Sequence, residues 1–257
     1  MTEELAGLLD LASRLEMCLR IVGAKRILSE GEAFFYVPRS SKLIKLPSFV
    51  SPELAYLVGY HLGDGYLEDI EKTRYRKGKA DYEISYADES SEMLKLIGSL
   101  FNKMFNLPLK VMRKRNEKTF VARAYSKLVH AFMSIVLELP TGKRHIGQLP
   151  RYLTNNRELV RAAIRGFFDA EGFYYFDSYN SKLRIGMTNS DVGLLEDIKR
   201  ILIKDFGIRA RGPYRKHNQP CWELKIFIQK DIARFISEIG ITHPDKMPPL
   251  HLLEGAT

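Results

Sequence analysis

LAYLVGYHLGDGYL at residues 54–67 and LVRAAIRGFFDAEGFYYF at residues 159–176 read as one pattern written twice, about 107 residues apart. Each is apolar at helical spacing and follows a helix-start signal. Ser51-Pro52-Glu53 precedes the first, and Asn155 with Glu158 three positions on forms a capping-box pattern before the second. Each carries two small residues four apart, Gly59 with Gly63 and Gly166 with Ala170, hence on one helix face where two backbones can approach closely. Each ends in an acid followed by glycine, Asp64-Gly65 and Glu171-Gly172. If the helices pack through their small faces, their C-terminal ends converge and set Asp64 beside Glu171 near a pseudo-twofold axis. Two carboxylates at the negative ends of helix dipoles are unfavourable without a cation. Oxygen ligands of this kind suit Mg²⁺.

The pattern extends beyond the helices. Strand-like alternation marks Tyr82–Tyr86, Leu109–Arg113 and Thr119–Tyr125 in the first copy, and Leu183–Thr188, Ile208–Arg211 and Trp222–Ile228 in the second. Amphipathic helices are expected between them at Ser91–Phe105 and Asp191–Phe206, with closing helices at Leu128–Leu137 and Asp231–Ile239. PTGKRHIGQLP at 140–150 reads as the linker. The division is an N-terminal, helical extension at 1–50, a first repeat at 51–150 including the linker, and a second at 151–257. In the extension, Leu5, Leu8, Leu9, Ala12, Leu15, Leu19 and Val22 form an apolar stripe expected to dock on the main body.

The 257 residues carry 40 Lys+Arg against 31 Asp+Glu, net +9. That charge is segmented. Residues 110–165 hold 13 basic and 3 acidic side chains and residues 199–234 hold 10 and 3, whereas 51–109 and 166–198 are acidic. The two basic segments point to a polyanionic partner. Two cysteines, Cys18 and Cys221, are too few for a disulfide scaffold or a Cys-rich metal site and read as reduced thiols of a cytoplasmic protein. No apolar run is long enough to span a membrane. Only three glutamines among many Lys, Arg and Glu fit a thermophilic, prokaryotic source.

LVGYHLGDG at 57–65 and IRGFFDAEG at 164–172, supported by TNSDVGLLEDIKRIL at 188–202 and THPDK at 242–246, resemble the LAGLIDADG homing endonucleases in their single-chain, two-repeat form. LAGLLDLAS at 5–13 shares letters with the motif but lacks its acid-glycine pair. The resemblance covers 51–250. It implies an α+β fold of two pseudo-symmetric αββαββα repeats that form a DNA-binding saddle, with the motif helices at the repeat interface. It also implies that a monomer cuts both strands of a long pseudo-palindromic double-stranded DNA site, leaving short 3′ overhangs. Asp64 and Glu171 would be the catalytic metal ligands, holding two or more divalent ions, Mg²⁺ first among them, shared at the interface.

A basic residue beside each scissile phosphate would stabilise charge. Alternation in Trp222–Ile228 turns Trp222, Leu224, Ile226 and Ile228 to the core and leaves Glu223 and Lys225 on the groove face, so Lys225 is the candidate in the second repeat. Arg123 is the nearest basic counterpart in the first, although aligning Ser126-Lys127 with Gln229-Lys230 would put Ala122 there. The outward DNA-facing set in the second repeat is Lys182, Arg184, Thr188, Arg209 and Arg211, with Arg215, Lys216, His217, Asn218 and Gln219 on the turn PYRKHNQP. KTRYRKGK at 72–79 and VMRKRNEK at 111–118 supply strand-tip candidates, Arg74, Arg76, Arg113 and Arg115. Most such contacts would reach phosphates, which position without specifying.

Asp169, about 200° around the helix from Glu171, is expected to make a structural hydrogen bond, and the first repeat has Leu62 there. His61 is expected to be packed or at the surface, and Phe173, Tyr174, Tyr175 and Phe176 to be core and sheet residues. Asp88 and Glu89 put acids where neutral residues are usual beside DNA. With no initial Cys or Ser and no C-terminal His-Asn, an intein is not expected. The reading is therefore a free-standing intron-homing endonuclease. Its rival is a non-cleaving nucleic-acid binder on the same fold, an RNA-splicing maturase or a transcriptional regulator.

Overall fold

The computed structural model describes residues 2–29, 32–38, 40–115, 117–249 and 252. The chain forms two compact units, Met1–Leu57 with Asp64–Arg144, and Val58–Gly63 with His145–Thr257.

The first unit begins with helix α1 (Thr2–Val22) and a hairpin of β1 (Lys25–Ser29) and β2 (Glu32–Tyr36). The extension is therefore not wholly helical, because Gly23 in the left-handed region ends α1 and a strand pair follows, extended by a bridge from Phe35 to Ile44. Helix α1 packs near the closing helix of the first repeat, burying Cys18 and Val22. Leu15 and Leu19 are half-buried and Ala12 is exposed, so the buried face of α1 is centred on Cys18 and Val22 rather than on the expected stripe. The side chains of Leu5, Leu8 and Leu9 lie outside the described residues.

The repeat proper runs α2 (Pro52–Asp64), β3 (Gly65–Leu67), α3 (Ile70–Lys77), β4 (Glu83–Asp88), α4 (Ser91–Phe105), β5 (Lys110–Arg113), β6 (Phe120–Tyr125) and α5 (Lys127–Ala131), which continues as a π-turn, Phe132–Val136. The four strands form an antiparallel sheet in the order β3-β4-β6-β5. Ser90 caps α4 through Met93 N, and Asn106 closes it in the left-handed region. Met93, Leu94, Ile97, Phe101 and Phe105 form the buried stripe of α4, with Tyr86 of β4 edge-on to Phe101. KTRYRKGK is not a strand tip but helix α3. Asp69 accepts from Lys72 N at its start and Gly78 ends it, two local caps that override the alternation of basic residues.

The second unit repeats this order without a counterpart of α3 and with a short helix before the motif helix: α6 (Arg151–Thr154), α7 (Arg157–Glu171), β7 (Gly172–Asp177), β8 (Lys182–Asn189), α8 (Val192–Phe206), β9 (Ala210–Arg215), β10 (Trp222–Ile226) and α9 (Gln229–Arg234), with a second π-turn, Phe235–Ile239. Its sheet order is β7-β8-β10-β9. Leu183, Ile185 and Met187 of β8 face the core with Leu194, Leu195, Ile198, Ile201 and Leu202 of α8. Leaving the loop, the linker residues Ile146 and Gly147 donate to the Asp191 carboxylate, and Leu149 donates to that of Asp197.

Both motif helices are shorter than their apolar runs. Each stops at its acid, and the following glycine opens an edge strand, Gly65 opposite Tyr86 and Gly172 opposite Met187. Gly172 is extended rather than left-handed, and a Cβ there would come within 2.3 Å of the Phe168 carbonyl oxygen. The aromatic run after it, rich in strand formers, then pairs with β8. The cap of α7 is Asn156, one residue later than expected, because its side chain reaches Glu158 N and Leu159 N. No helix among the described residues is long and apolar enough to cross a membrane.

Candidate metal and nucleic-acid site

In the second unit, Val58–Gly63 and α7 meet with almost no space between backbones. A Cβ on Gly59 would lie 1.9 Å from Ala163 O, and one on Gly63 would lie 2.5 Å from Ala170 Cβ and 2.7 Å from Glu171 Cγ. Gly59, Gly63 and Ala170 thus act as the close-packing residues expected. The partner of Gly59, however, is Ala163, a residue the four-residue spacing passed over; Gly166 is buried on the same helix.

Glu171 is the last residue of α7. Asn189 Nδ2 donates to its Oε1 at 2.7 Å, and Asn189 Oδ1 in turn accepts from Asp191 N at 2.8 Å, which fixes the amide orientation. Asn189 was not singled out from the sequence, although it stands at the strand end just before a helix cap, where its carboxamide is oriented by the backbone. Desolvation pushes the Glu171 carboxyl up to about 7, against the Asn189 hydrogen bond and the Lys246 charge, both of which lower it. A half-buried carboxylate that is hard to ionise alone is a fit donor for a hard divalent cation.

That raised value makes a stability prediction. The folded metal-free protein binds more protons at Glu171 than the unfolded chain between roughly pH 4.5 and pH 7, so stability falls as pH rises through that window. At about 1.4 kcal/mol per pH unit the loss is at most about 3 kcal/mol. Buried His130, held below its usual range by desolvation, slopes the other way. The measurement is therefore the difference between wild type and Glu171→Gln in urea melts at pH 5 and pH 8. Wild type should lose more stability than Glu171→Gln on going to pH 8, and equal losses would refute the assignment.

Strand register aligns the two units residue by residue. Gly65, Tyr86 and Ala122 form a row in the first sheet, and Gly172, Met187 and Leu224 form the same row in the second. The next row is Tyr66, Ser85, Arg123 and Lys110 in one sheet, and Phe173, Gly186, Lys225 and Arg211 in the other. Arg123 is therefore the counterpart of Lys225, and the alternative placing Ala122 there is wrong. That alternative matched Ser126 to Gln229, whereas the helix caps are Ser126 and Ile228. Ile228 accordingly caps α9 rather than extending β10. Arg123 lies 3.2 Å from Glu83, and Lys225 lies 2.7 Å from Glu223 with its ammonium over the Tyr175 ring. The same register sets Asp88 opposite Phe120 where Asn189 faces Trp222, and Ser90 N donates to Asp88 as Asp191 N does to Asn189. The first copy thus has an acid where the second has an amide.

The basic side chains fall into two groups. Lys182, Arg211 and Arg215 are exposed on β8 and β9, and Asn218 and Gln219 sit at the β9–β10 tip with Lys216, which pairs with Glu223. Arg113 ends β5 with its guanidinium over Phe120, and exposed Arg115 follows in the turn. Others are already engaged. Arg184 donates to Phe227 O and pairs with Asp177, and only 11% of its side chain is exposed. Arg209 is tied to buried Asp231 at 2.8 Å, just before β9 begins. Arg76 on α3 pairs with Glu68, while Arg74 is exposed there. Phe173, Tyr174, Tyr175 and Phe176 all lie in the sheet, on β7, but Tyr175 and Phe176 are exposed rather than in the core, Tyr175 beside Arg184 on the face away from the core and Phe176 near the end of this edge strand. His61 is buried.

Two antiparallel sheets of identical strand order, each fed by a helix ending in acid-glycine, define a LAGLIDADG fold. Residues 158–240 match the LAGLIDADG-like domain family. I-DmoI, solved in complex with DNA and Mn, is 23% identical with a TM-score of 0.53, covering 75% of this chain and 98% of that one. The full-length DUF199/WhiA protein of Thermotoga maritima is 17% identical with a TM-score of 0.55, covering 82% and 61%. Over 217 residues the chain is 30% identical to the glutamine–fructose-6-phosphate aminotransferase of Methanocaldococcus jannaschii, covering 82% of this chain but only 18% of that protein's length. Residues 158–240 thus carry a LAGLIDADG-like domain, and the chain has the fold of the LAGLIDADG proteins.

Proposed function

We propose that the protein is a site-specific, metal-dependent endonuclease that cuts both strands of a long, pseudo-palindromic DNA site as a monomer. The observation that carries this reading is a repeated arrangement, an acid that ends a helix followed by a cation in the second strand row after it, Asp64 with Arg123 and Glu171 with Lys225. Divalent ions such as Mg²⁺, with Asp64 and Glu171 as their carboxylate ligands, would supply Lewis acidity at the scissile phosphodiesters. Arg123 and Lys225 would hold developing negative charge, and the Asn189 amide would fix the direction of the Glu171 carboxylate. Exposed Lys182, Arg211, Arg215, Arg113 and Arg115 would track the DNA backbone. That I-DmoI was solved with DNA and Mn, and also with DNA and Ca, supports the choice of partner and ion. Because the chain spans so little of the aminotransferase, amide-transfer chemistry is not carried over.

A binder that does not cut is the second reading, and the Arg123–Glu83 and Lys225–Glu223 pairs favour it, since each candidate cation already has an acidic partner. One experiment separates the two. The protein is incubated with a random duplex library and Mg²⁺, and ligatable ends are captured and sequenced. Cleavage at one recurring long site, with short 3′ overhangs and none in EDTA, is the expected result. Recurrent binding to one site without any cut supports the binder and removes the endonuclease.

A further inference from the structure

We infer that Thr242–Lys246 is a clasp on the end of α7 and that Lys246 is a positioning residue for Glu171, an inference that rests on the endonuclease reading. Asp169 is wholly buried, and its Oδ1 accepts from Thr242 N at 2.9 Å and from His243 N at 3.0 Å. The His243 ring nitrogen Nδ1 accepts from Asp245 N, capping the short 3₁₀ turn Pro244–Lys246. That turn delivers Lys246 Nζ to the carbonyl oxygens of Asp169, at 2.7 Å, and of Ala170. These belong to the last turn of α7, whose carbonyls lack intrahelical donors and collect the negative end of the dipole. Two backbone N–H groups and one ammonium, all from a segment over 70 positions away in sequence, thus hold the residues immediately before Glu171.

The ammonium spends its hydrogen bonds on backbone and leaves the carboxylate to Asn189 and to an incoming ion. A lysine bonded directly to Glu171 would compete with that ion. The clasp has no acidic anchor in the first copy, where Leu62 stands in the place of Asp169. The second acid is held through Asp169, which the first copy lacks, so losing the clasp should damage the half of the reaction that Glu171 serves.

Lys246→Met and Lys246→Arg are compared with wild type on a supercoiled plasmid carrying the selected duplex, with each strand end-labelled. Amide exchange of Ala170–Gly172 is followed in parallel, without DNA or metal. In Lys246→Met one strand should be cut about tenfold more slowly relative to the other, leaving nicked circles. Exchange at Ala170–Gly172 should rise about tenfold while α8 is unchanged, and Lys246→Arg should restore both. A structural defect alone would slow both strands together. If wild type and Lys246→Met cut the strands in the same ratio and exchange alike, the clasp is overturned and the endonuclease stands. If wild type cuts nothing, the endonuclease falls, and Lys246 no longer has a reaction to position for. Should Lys246→Met not fold, Lys246→Gln, which keeps a donor without the charge, takes its place under the same criteria.

Discussion

Asp64→Asn and Glu171→Gln should each lower single-turnover cleavage of the selected duplex in Mg²⁺ by about 10³-fold or more, while affinity for that duplex in Ca²⁺ holds or rises slightly. Both substitutions keep the side-chain shape and remove only the charge. At position 171 the consequence is specific. Asn189 Nδ2 is a donor fixed by Asp191 N, so a glutamine there turns its oxygen towards Asn189 and presents its NH₂ group where the ion needs an oxygen. The amide thus fails as a ligand even though the local hydrogen bond survives. Affinity should not fall, because removing a negative charge that faces phosphates relieves repulsion. The double variant should be no slower than the worse single one, since residues that share one function are not additive. A variant that keeps more than about a tenth of the wild-type rate would show that its acid does not hold the metal.

How much of this was legible in the sequence depends on the range of the interaction. The duplication was readable because Gly59, Gly63, Asp64 and their counterparts repeat at fixed spacing, and α4 because Ser90 and the stripe from Met93 to Phe105 are local signals. The strands β3 and β7 were not. Residues 65–67 and 172–176 continue an apolar run, and only pairing with β4 and β8 decides that the helix stops at the acid. The partner of Gly59 escaped for a similar reason: spacing shows which residues share a face but not which pairs touch, and Ala163 was hidden by the more conspicuous Gly166. Arg184 and Arg209 were readable as outward residues, yet their engagement with Asp177 and Asp231 depends on positions 7 and 22 residues away. The role of Asp169 was legible by elimination, from helix angle, whereas its donors at Thr242 and His243 required the fold.

Gly59→Ala should destabilise the protein by about 3 kcal/mol or more in urea melts, against the rule that replacing a mid-helix glycine by alanine gains up to about 1 kcal/mol. The added Cβ would meet Ala163 O at 1.9 Å, Ala163 C at 2.7 Å and Ala163 Cα at 2.9 Å, all backbone atoms. No rotamer change can clear them, so two helical segments must move apart and open a gap along their small face. Gly98, within α4, supplies the control, since a Cβ there finds only Leu109 Cβ at 3.9 Å and Gly98→Ala should stabilise by about 0.5–1 kcal/mol. Gly63→Ala is the discriminating intermediate, because its nearest obstacle is the Ala170 Cβ, a side-chain atom. Truncation at the partner should therefore behave differently at the two positions. Ala170→Gly should recover part of the Gly63→Ala loss, the rest remaining with Glu171 Cγ at 2.7 Å, whereas Ala163→Gly should recover none of the Gly59→Ala loss. Rescue at Gly59 would mean that the contact lies between side chains and that the backbones are further apart than this packing requires.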